Sequence, residues 1–113
     1  EVVEKGVFRV QMNESLATIL ITNLLKNAFV HNVDGGHIRI EITSHRFTFC
    51  NSGVEHSLDS THIFERFYQG TKKEGSTGLG LAIVDSICRL QNIGLKYYFQ
   101  NGEHCFEISE EQI

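Results

Sequence analysis

The sequence predicts an α+β domain in which a single sheet lies beneath a layer of helices. In several short segments apolar residues recur at every second position, and in two longer segments at every third or fourth. These periods indicate strands and amphipathic helices respectively. Their order along the chain is strand, helix, two strands, short helix, loop, helix and two strands. Because each apolar face must be covered, this order predicts a two-layer α/β sandwich, with a mixed, largely antiparallel sheet of about five strands under about three helices.

The first half of the chain predicts a strand, a long helix and a hairpin. Residues 7–12 alternate and are expected to form the first strand. Asn13 stands where an N-cap belongs, and a helix is expected from about residue 14 to residue 30. Residues 37–43 and 46–50 both alternate. They are expected to pair as antiparallel strands with their Ile and Phe residues on the buried face.

In the second half, a short helix is expected over about residues 58–68 and a longer one over about residues 79–91. Gly94 is expected to end the longer helix. Residues 95–100 and 103–108 read as strands, and Asn101-Gly102 between them is a strong hairpin signal.

Length and composition limit the classes of function. With 113 residues, 41% of them hydrophobic, the chain is expected to be a single domain, residues 1–113, excised from a longer protein. A net charge of −4 without a basic stripe argues against nucleic-acid binding. The sequence has no apolar run long enough to span a membrane and no signal peptide. Cys50, Cys88 and Cys105 are expected to be buried thiols in a reducing compartment.

A glycine-rich loop, residues 75–81, precedes the second long helix. It contains Ser76, Thr77, Gly78, Leu79, Gly80 and Leu81. Such a loop lets a ligand approach the backbone closely, and the helix N-terminus behind it attracts anions, so phosphate is the first hypothesis. The P-loop pattern does not fit, because Gly80 is followed by Leu rather than by Lys. A surface loop with a helix cap is an equally good explanation of this segment alone.

Asn23 and Asn27 interrupt the apolar pattern of the first helix one turn apart, so their side chains project from the same side. Two amides at this spacing need polar partners. They either bond to a neighbouring loop as a structural pair or form a polar site built into the helix.

Four segments in order resemble the motifs of the sensor histidine kinase catalytic domain, a member of the GHKL superfamily. Residues 23–32 resemble its N box, residues 51–53 its first glycine box, residues 63–68 its F box and residues 75–81 its second glycine box. The resemblance covers nearly the whole chain and implies the Bergerat fold, in which ATP is held between a helix, a lid and the sheet.

The resemblance also implies roles for the residues of these motifs. Asn27 would coordinate Mg²⁺ at the phosphates, with Asn23 in support, and His31 would lie beside the adenine. Asn51 would accept a hydrogen bond from the adenine amino group, and Gly53 would form the first hinge of the lid. In the lid, Arg66 or Tyr68 would reach the nucleotide, and Phe67, with Phe64, would anchor the lid on the core. The loop at residues 75–81 would hold the phosphates.

The chain departs from the family pattern at four positions: Asn51 replaces the usual Asp, Glu55 a glycine, and Val30 and Gln69 two basic residues. The neutral Asn51 would weaken the implied bond to adenine by about 1 kcal/mol. Lys26, one turn before Val30, is expected to compensate at the phosphates together with Lys72 or Lys73.

The function implied is that of a protein histidine kinase that uses ATP and Mg²⁺. The acceptor histidine would lie on a dimerisation domain of the same parent, and a response regulator receiver domain would take the phosphate afterwards. No catalytic residue is certain; Asn27 and Arg66 are supporting candidates. The domain is expected in the cytoplasm without membrane contact, its parent anchored in the membrane.

One alternative is a degenerate, non-catalytic nucleotide-sensing or docking module. Another is a different GHKL member, such as an anti-sigma serine kinase.

Overall fold

A computed structural model describes residues 2–6, 8, 12–30, 35–53, 64 and 79–110, with the backbone alone at residue 30. Five strands and two helices lie within these residues. In chain order they are β1 (Val2–Glu4), α1 (Glu14–Val30), β2 (Ile38–Ile42), β3 (Arg46–Ser52), α2 (Gly80–Leu90), β4 (Gly94–Gln100) and β5 (Glu103–Ser109).

The strands form one sheet in the order β1-β2-β3-β5-β4. β1 runs parallel to β2, and every other neighbouring pair is antiparallel. The prediction of a mixed, largely antiparallel sheet of about five strands is therefore confirmed. The expected short helix lies outside the described residues, apart from Phe64, which lies in a turn.

The first strand is not where its alternation predicts. Phe8 and Met12 belong to no strand, and the other residues of 7–12 lie outside the described part of the chain. Both side chains instead pack, partly buried, against the hydrophobic core. The first strand is Val2–Glu4, and Lys5 continues its pairing by donating its backbone N–H to the Ile42 carbonyl at 2.7 Å. Three residues are too few to show a two-residue period, which is why the sequence does not reveal this strand.

The core lies between one face of the sheet and the two helices. In α1, Leu20, Leu24 and Ala28 recur every four residues and are buried. α2 contributes Val84, Ile87 and Cys88, and the sheet contributes Phe49, Tyr97, Phe106 and Ile108. All three cysteines are buried free thiols, as predicted. No helix among the described residues is long and apolar enough to span a membrane.

The ends of the helices are fixed by asparagine. Asn13 accepts a hydrogen bond from the Leu16 backbone N–H at 3.1 Å, which confirms it as the N-cap of α1. α2 ends in a left-handed residue, but this residue is Asn92, with φ 57°, rather than Gly94. Ile93 N–H bonds to the Cys88 carbonyl and Asn92 N–H to the Arg89 carbonyl, the pattern of a Schellman cap. Gly94 is instead the first residue of β4.

The hairpin of β4 and β5 closes on two residues with positive φ. Asn101 has φ 53° and Gly102 has φ 76°. This is the backbone that a two-residue type I′ turn requires, and it matches the twist of the flanking strands. The Asn-Gly signal therefore predicts both the turn and the register.

We predict that Leu24→Ala lowers the free energy of unfolding by about 2–5 kcal/mol, because this side chain is 1% exposed and its loss leaves a cavity. The matched control is Leu90→Ala, the same change at a helical leucine that is 71% exposed, with an expected cost below about 0.5 kcal/mol. Urea denaturation followed by circular dichroism measures both. Equal losses in the two variants would contradict the placement of the core beneath α1.

Candidate functional site

Asn23 and Asn27 lie on α1 at the edge of its buried stripe, and both are half-buried. The Asn23 Nδ2 group donates a hydrogen bond to the Ile19 carbonyl, one turn earlier, at 2.8 Å. This bond fixes the orientation of the Asn23 amide, so that Nδ2 faces the Ile19 carbonyl and Oδ1 faces away from it. Within the described part of the chain no hydrogen bond involves the Asn27 side chain.

Asn23 meets the start of α2 at Gly80. A Cβ atom added to Gly80 would lie 3.2 Å from Asn23 Oδ1, closer than nearly all carbon contacts of this kind in proteins. The absence of a side chain at Gly80 therefore allows the N-terminus of α2 to approach the amide on α1. Asn23 and Gly80 are therefore neighbours in the structure, although they belong to separate sequence motifs 57 positions apart.

The N-terminus of α2 faces this junction. Leu79 is the N-cap residue, and the first bond of the helix runs from Ile83 N–H to the Leu79 carbonyl at 2.9 Å. A leucine side chain has no acceptor with which to cap the N–H groups of the first turn, in contrast to Ser, Thr, Asp or Asn. No acidic residue lies in that turn. The partial positive charge of the helix start is therefore not offset by α2 itself, which favours an anion there. Leu81 packs against the core and positions the helix.

Asn51 lies on β3 and is 2% exposed. Residues 47, 49 and 51 share one face of the strand, and Phe49 belongs to the core under the helices, so Asn51 also lies on the helix side. Its Nδ2 group donates to the Ser52 carbonyl at 2.7 Å. The Oδ1 atom of Asn51 is then the atom of this amide that can accept a hydrogen bond from a ligand. Gly53, which follows β3, is buried as well.

His104 is a polar neighbour of this region that the motifs do not identify. It stands directly opposite Asn51 in the β3–β5 pairing and is 4% exposed. The Tyr97 hydroxyl lies 2.8 Å from its Nδ1 atom, and the ring packs against Phe99 with centroids 4.8 Å apart. The alternation of residues 103–108 together with the Asn101-Gly102 turn places His104 on the helix side, and this is the signal that could have found it.

The remaining predicted site residues fall into two groups. Lys26 is exposed on α1, one residue before Asn27. Phe64 is partly buried, and its ring meets Phe106 edge-on with centroids 6.2 Å apart, so the F-box segment touches the core at this point. The following residues lie outside the described part of the chain: His31, Arg66, Phe67, Tyr68, Ser76, Thr77 and Gly78.

Comparison with known proteins identifies a family model that matches residues 12–110, the histidine kinase-, DNA gyrase B- and HSP90-like ATPase model. The sensor histidine kinase RppB of Synechocystis sp. is 40% identical over 84 residues, which cover 66% of this chain and 18% of RppB. The heme sensor protein HssS of Staphylococcus aureus is 38% identical over 97 residues, which cover 81% of this chain and 21% of HssS. The chain thus spans about a fifth of the length of these relatives.

Solved structures agree on the fold. The catalytic domain of histidine kinase ThkA, in a nucleotide-free form, superimposes with a TM-score of 0.79 at 21% identity. The match covers 98% of this chain and 77% of the ThkA chain. This confirms the predicted fold class.

We predict that Gly80→Ala displaces the Asn23 side chain but changes the free energy of unfolding by less than about 1 kcal/mol, since alanine is the better helix former by about that amount. The new methyl group would lie 3.2 Å from Asn23 Oδ1 and push the amide away. The measurement is the NMR shift of the Asn23 side-chain amide, with urea denaturation for stability. Ser86→Ala, at an exposed position of the same helix, is the control and leaves that amide signal unchanged. An unchanged signal in Gly80→Ala would refute the contact.

Proposed function

Because this chain belongs to the histidine kinase-, DNA gyrase B- and HSP90-like ATPase family, as the catalytic domain of a sensor histidine kinase, we propose that it binds ATP with Mg²⁺ and donates the γ-phosphate to a histidine on a separate dimerisation helix. The observation that carries this proposal is the approach of Gly80, at the start of α2, to Asn23 on α1. That approach brings the Asn23 amide oxygen on α1 close to the N-terminus of α2. Amide oxygens suit Mg²⁺, and free N–H groups suit phosphate.

In the proposed complex, Asn27 is the Mg²⁺ ligand and Asn23 holds its position through the bond to Ile19. An amide oxygen is a hard, neutral ligand, which fits an ion that takes other ligands from phosphate and water. Mg²⁺ would supply charge neutralisation at the transferred phosphoryl group. Asn51 accepts from the adenine amino group on the helix side of the sheet, and Lys26 adds a positive charge near the phosphates. The lid would lie between its first hinge at Gly53 and the glycine-rich loop at residues 75–81.

Phosphoryl transfer depends mainly on positioning and charge stabilisation, so one domain can hold ATP while another brings the nucleophile. The described histidines do not suit that role. His37 precedes a strand, His45 lies in a turn, and His104 is buried in the sheet, so none of them is on a helix. In the proposed reaction the acceptor histidine lies on a dimerisation domain of the parent protein. A receiver domain of a response regulator would accept the phosphate from that histidine.

The proposed parent resembles its relatives in carrying further domains, and this domain would work on the cytoplasmic side of the membrane that anchors the parent. The second candidate is a nucleotide-sensing or docking module without kinase activity. The neutral Asn51 in place of the usual carboxylate is the observation that favours it.

Asn27→Ala is expected to weaken Mg²⁺-dependent ATP binding at least about tenfold, or about 1.4 kcal/mol, because it removes the proposed metal ligand. Calorimetric titration with ATP and ADP, each with and without Mg²⁺, measures the change. Thr22→Ala, at an exposed position of the same helix, is the matched control and keeps the wild-type affinity. Absence of ATP binding by the wild-type chain would favour the docking module.

The 113-residue chain by itself is expected to take no γ-phosphate onto histidine, and to label a histidine only after the parent's dimerisation helix is supplied. Radiolabelled ATP followed by acid and base treatment distinguishes phosphohistidine from phosphoserine. Label on a histidine of the isolated chain would contradict the division of labour between the two domains. Label on serine of an added partner would favour the serine-kinase alternative.

A further inference from the structure

The face of the sheet opposite α1 and α2 carries a polar cavity of about 210 Å³. Side chains alternate along β3, so Phe49 points into the core and its neighbour Cys50 points to this second face. Cys105, Glu103 and Tyr98 line the same cavity from β5 and β4, and Arg39 lines it from β2. The cavity is therefore separated from the proposed nucleotide site by the thickness of the sheet.

Cys50 and Cys105 are directly opposite each other on β3 and β5. Ser52 N–H bonds to the His37 carbonyl, so the even-numbered residues of β3 direct their backbone bonds to β2 and the odd-numbered ones to β5. Cys50 and Cys105 are then a pair without mutual backbone bonds, the arrangement in which opposite side chains come closest.

Glu103 precedes Cys105 by two residues and so shares its face of β5. The Sγ atoms of Cys50 and Cys105 and a carboxylate oxygen of Glu103 all lie within 4.8 Å of one another. The three residues are between 1% and 9% exposed. Ligands around tetrahedral Zn²⁺ are separated by about 3.5–3.8 Å, so a closure of about 1 Å brings these atoms to coordination distance.

A positively charged guanidinium lies beside this cluster. Arg39 donates from Nη2 to Glu103 Oε1 at 2.8 Å and to Cys50 Sγ at 3.5 Å. The neighbouring Cys50 thiol, with a smaller contribution from Tyr98, lowers the pKa of Cys105, whereas Cys105 and burial raise the pKa of Cys50, so a bound metal ion must displace the Cys50 proton. Burial raises the pKa of Tyr98 to about 12, so its hydroxyl keeps the proton that it donates. A divalent cation together with Arg39 would balance the charges of two thiolates and one carboxylate.

The carboxylate already has partners, and these orient it rather than block it. Besides Arg39, the Nε2 atom of His37 lies 2.9 Å from Glu103 Oε2. Each carboxylate oxygen has two lone pairs, so one lone pair can bind a metal ion while the other accepts a hydrogen bond. Such supporting hydrogen bonds are the usual companions of metal ligands.

We propose that Cys50, Cys105 and Glu103 bind a thiophilic divalent cation of the Zn²⁺ type on the second face of the sheet. Two thiolates exclude Mg²⁺ and Ca²⁺, which prefer oxygen ligands. Three protein ligands leave the fourth tetrahedral position to solvent. The proposal does not depend on nucleotide binding, because it involves none of the residues on the helix side. The cation would stabilise the pairing of β3 with β5, since it binds the folded chain only.

The test is a titration of the fully reduced chain with Co²⁺, without oxygen and with a phosphine reductant. The expected result is a thiolate-to-cobalt charge-transfer band that saturates at one equivalent and disappears when Zn²⁺ is added. Cys50→Ser and Cys105→Ser are each expected to lose the band, and Glu103→Gln to bind at least about tenfold more weakly. Cys88→Ser removes the third buried thiol, on α2, and is the matched control that keeps the band.

Absence of the band in the reduced wild-type chain would overturn the proposal, as would a band that survives Cys105→Ser. Loss of the band in Cys88→Ser, with its fold intact by circular dichroism, would also overturn it. A measurement on the wild-type chain guards against variants that fail to fold. Zn²⁺ is expected to slow alkylation of Cys50 and Cys105, mapped by mass spectrometry, at least about tenfold more than it slows alkylation of the buried Cys88. Equal alkylation rates with and without Zn²⁺ would contradict the site.

Discussion

The approach of α2 to α1 at Gly80 is the constraint on which the arrangement of both helices depends. Any side chain at this position would meet Oδ1 of Asn23, whose amide is already held by the hydrogen bond that Nδ2 donates to the Ile19 carbonyl. Glycine at a helical position costs about 1 kcal/mol relative to alanine, and here that cost brings two elements into contact. Beneath the contact, Leu24 and Val84 are almost completely buried, so the same two helices close the core and form the proposed site.

The sheet serves two different chemistries because its side chains alternate. On β3, Phe49 and Asn51 belong to the helix side, where the core and the proposed adenine partner lie, while Cys50 belongs to the opposite side. On β5, His104 and Cys105 divide in the same way. A slip of one residue in the pairing would exchange the two sets and place Cys50 where Asn51 now lies. The Asn101-Gly102 turn, which fixes the register of β5 against β4, therefore helps to position both sites.

The sequence predicts those features whose signal is local. Periodicity predicts α1, α2 and four of the strands, and the Asn-Gly pair predicts the closing hairpin. It fails at Val2–Glu4, because this strand is three residues long and its partner lies in β2, far along the chain. The sequence also predicts that α2 ends at Gly94, because glycine adopts the left-handed conformation more often than asparagine does. In the proposed site, the motif resemblance assigns roles to single residues but does not show which of them are in contact. The contact of Gly80 with Asn23 and the pairing of Asn51 with His104 are non-local, and only the folded chain shows them.

Asn51 illustrates how the environment of a residue bears on a departure from its family. Its Nδ2 group donates to the Ser52 carbonyl at 2.7 Å in a site that is 2% exposed. An aspartate in this position could not donate that bond, and its buried charge would face the carbonyl oxygen, which is unfavourable. Asparagine therefore suits the local backbone, while its oxygen is a weaker acceptor for an adenine amino group than a carboxylate. In the proposed complex, more of the binding free energy must then come from the phosphate end, where Asn27, Mg²⁺ and the start of α2 meet.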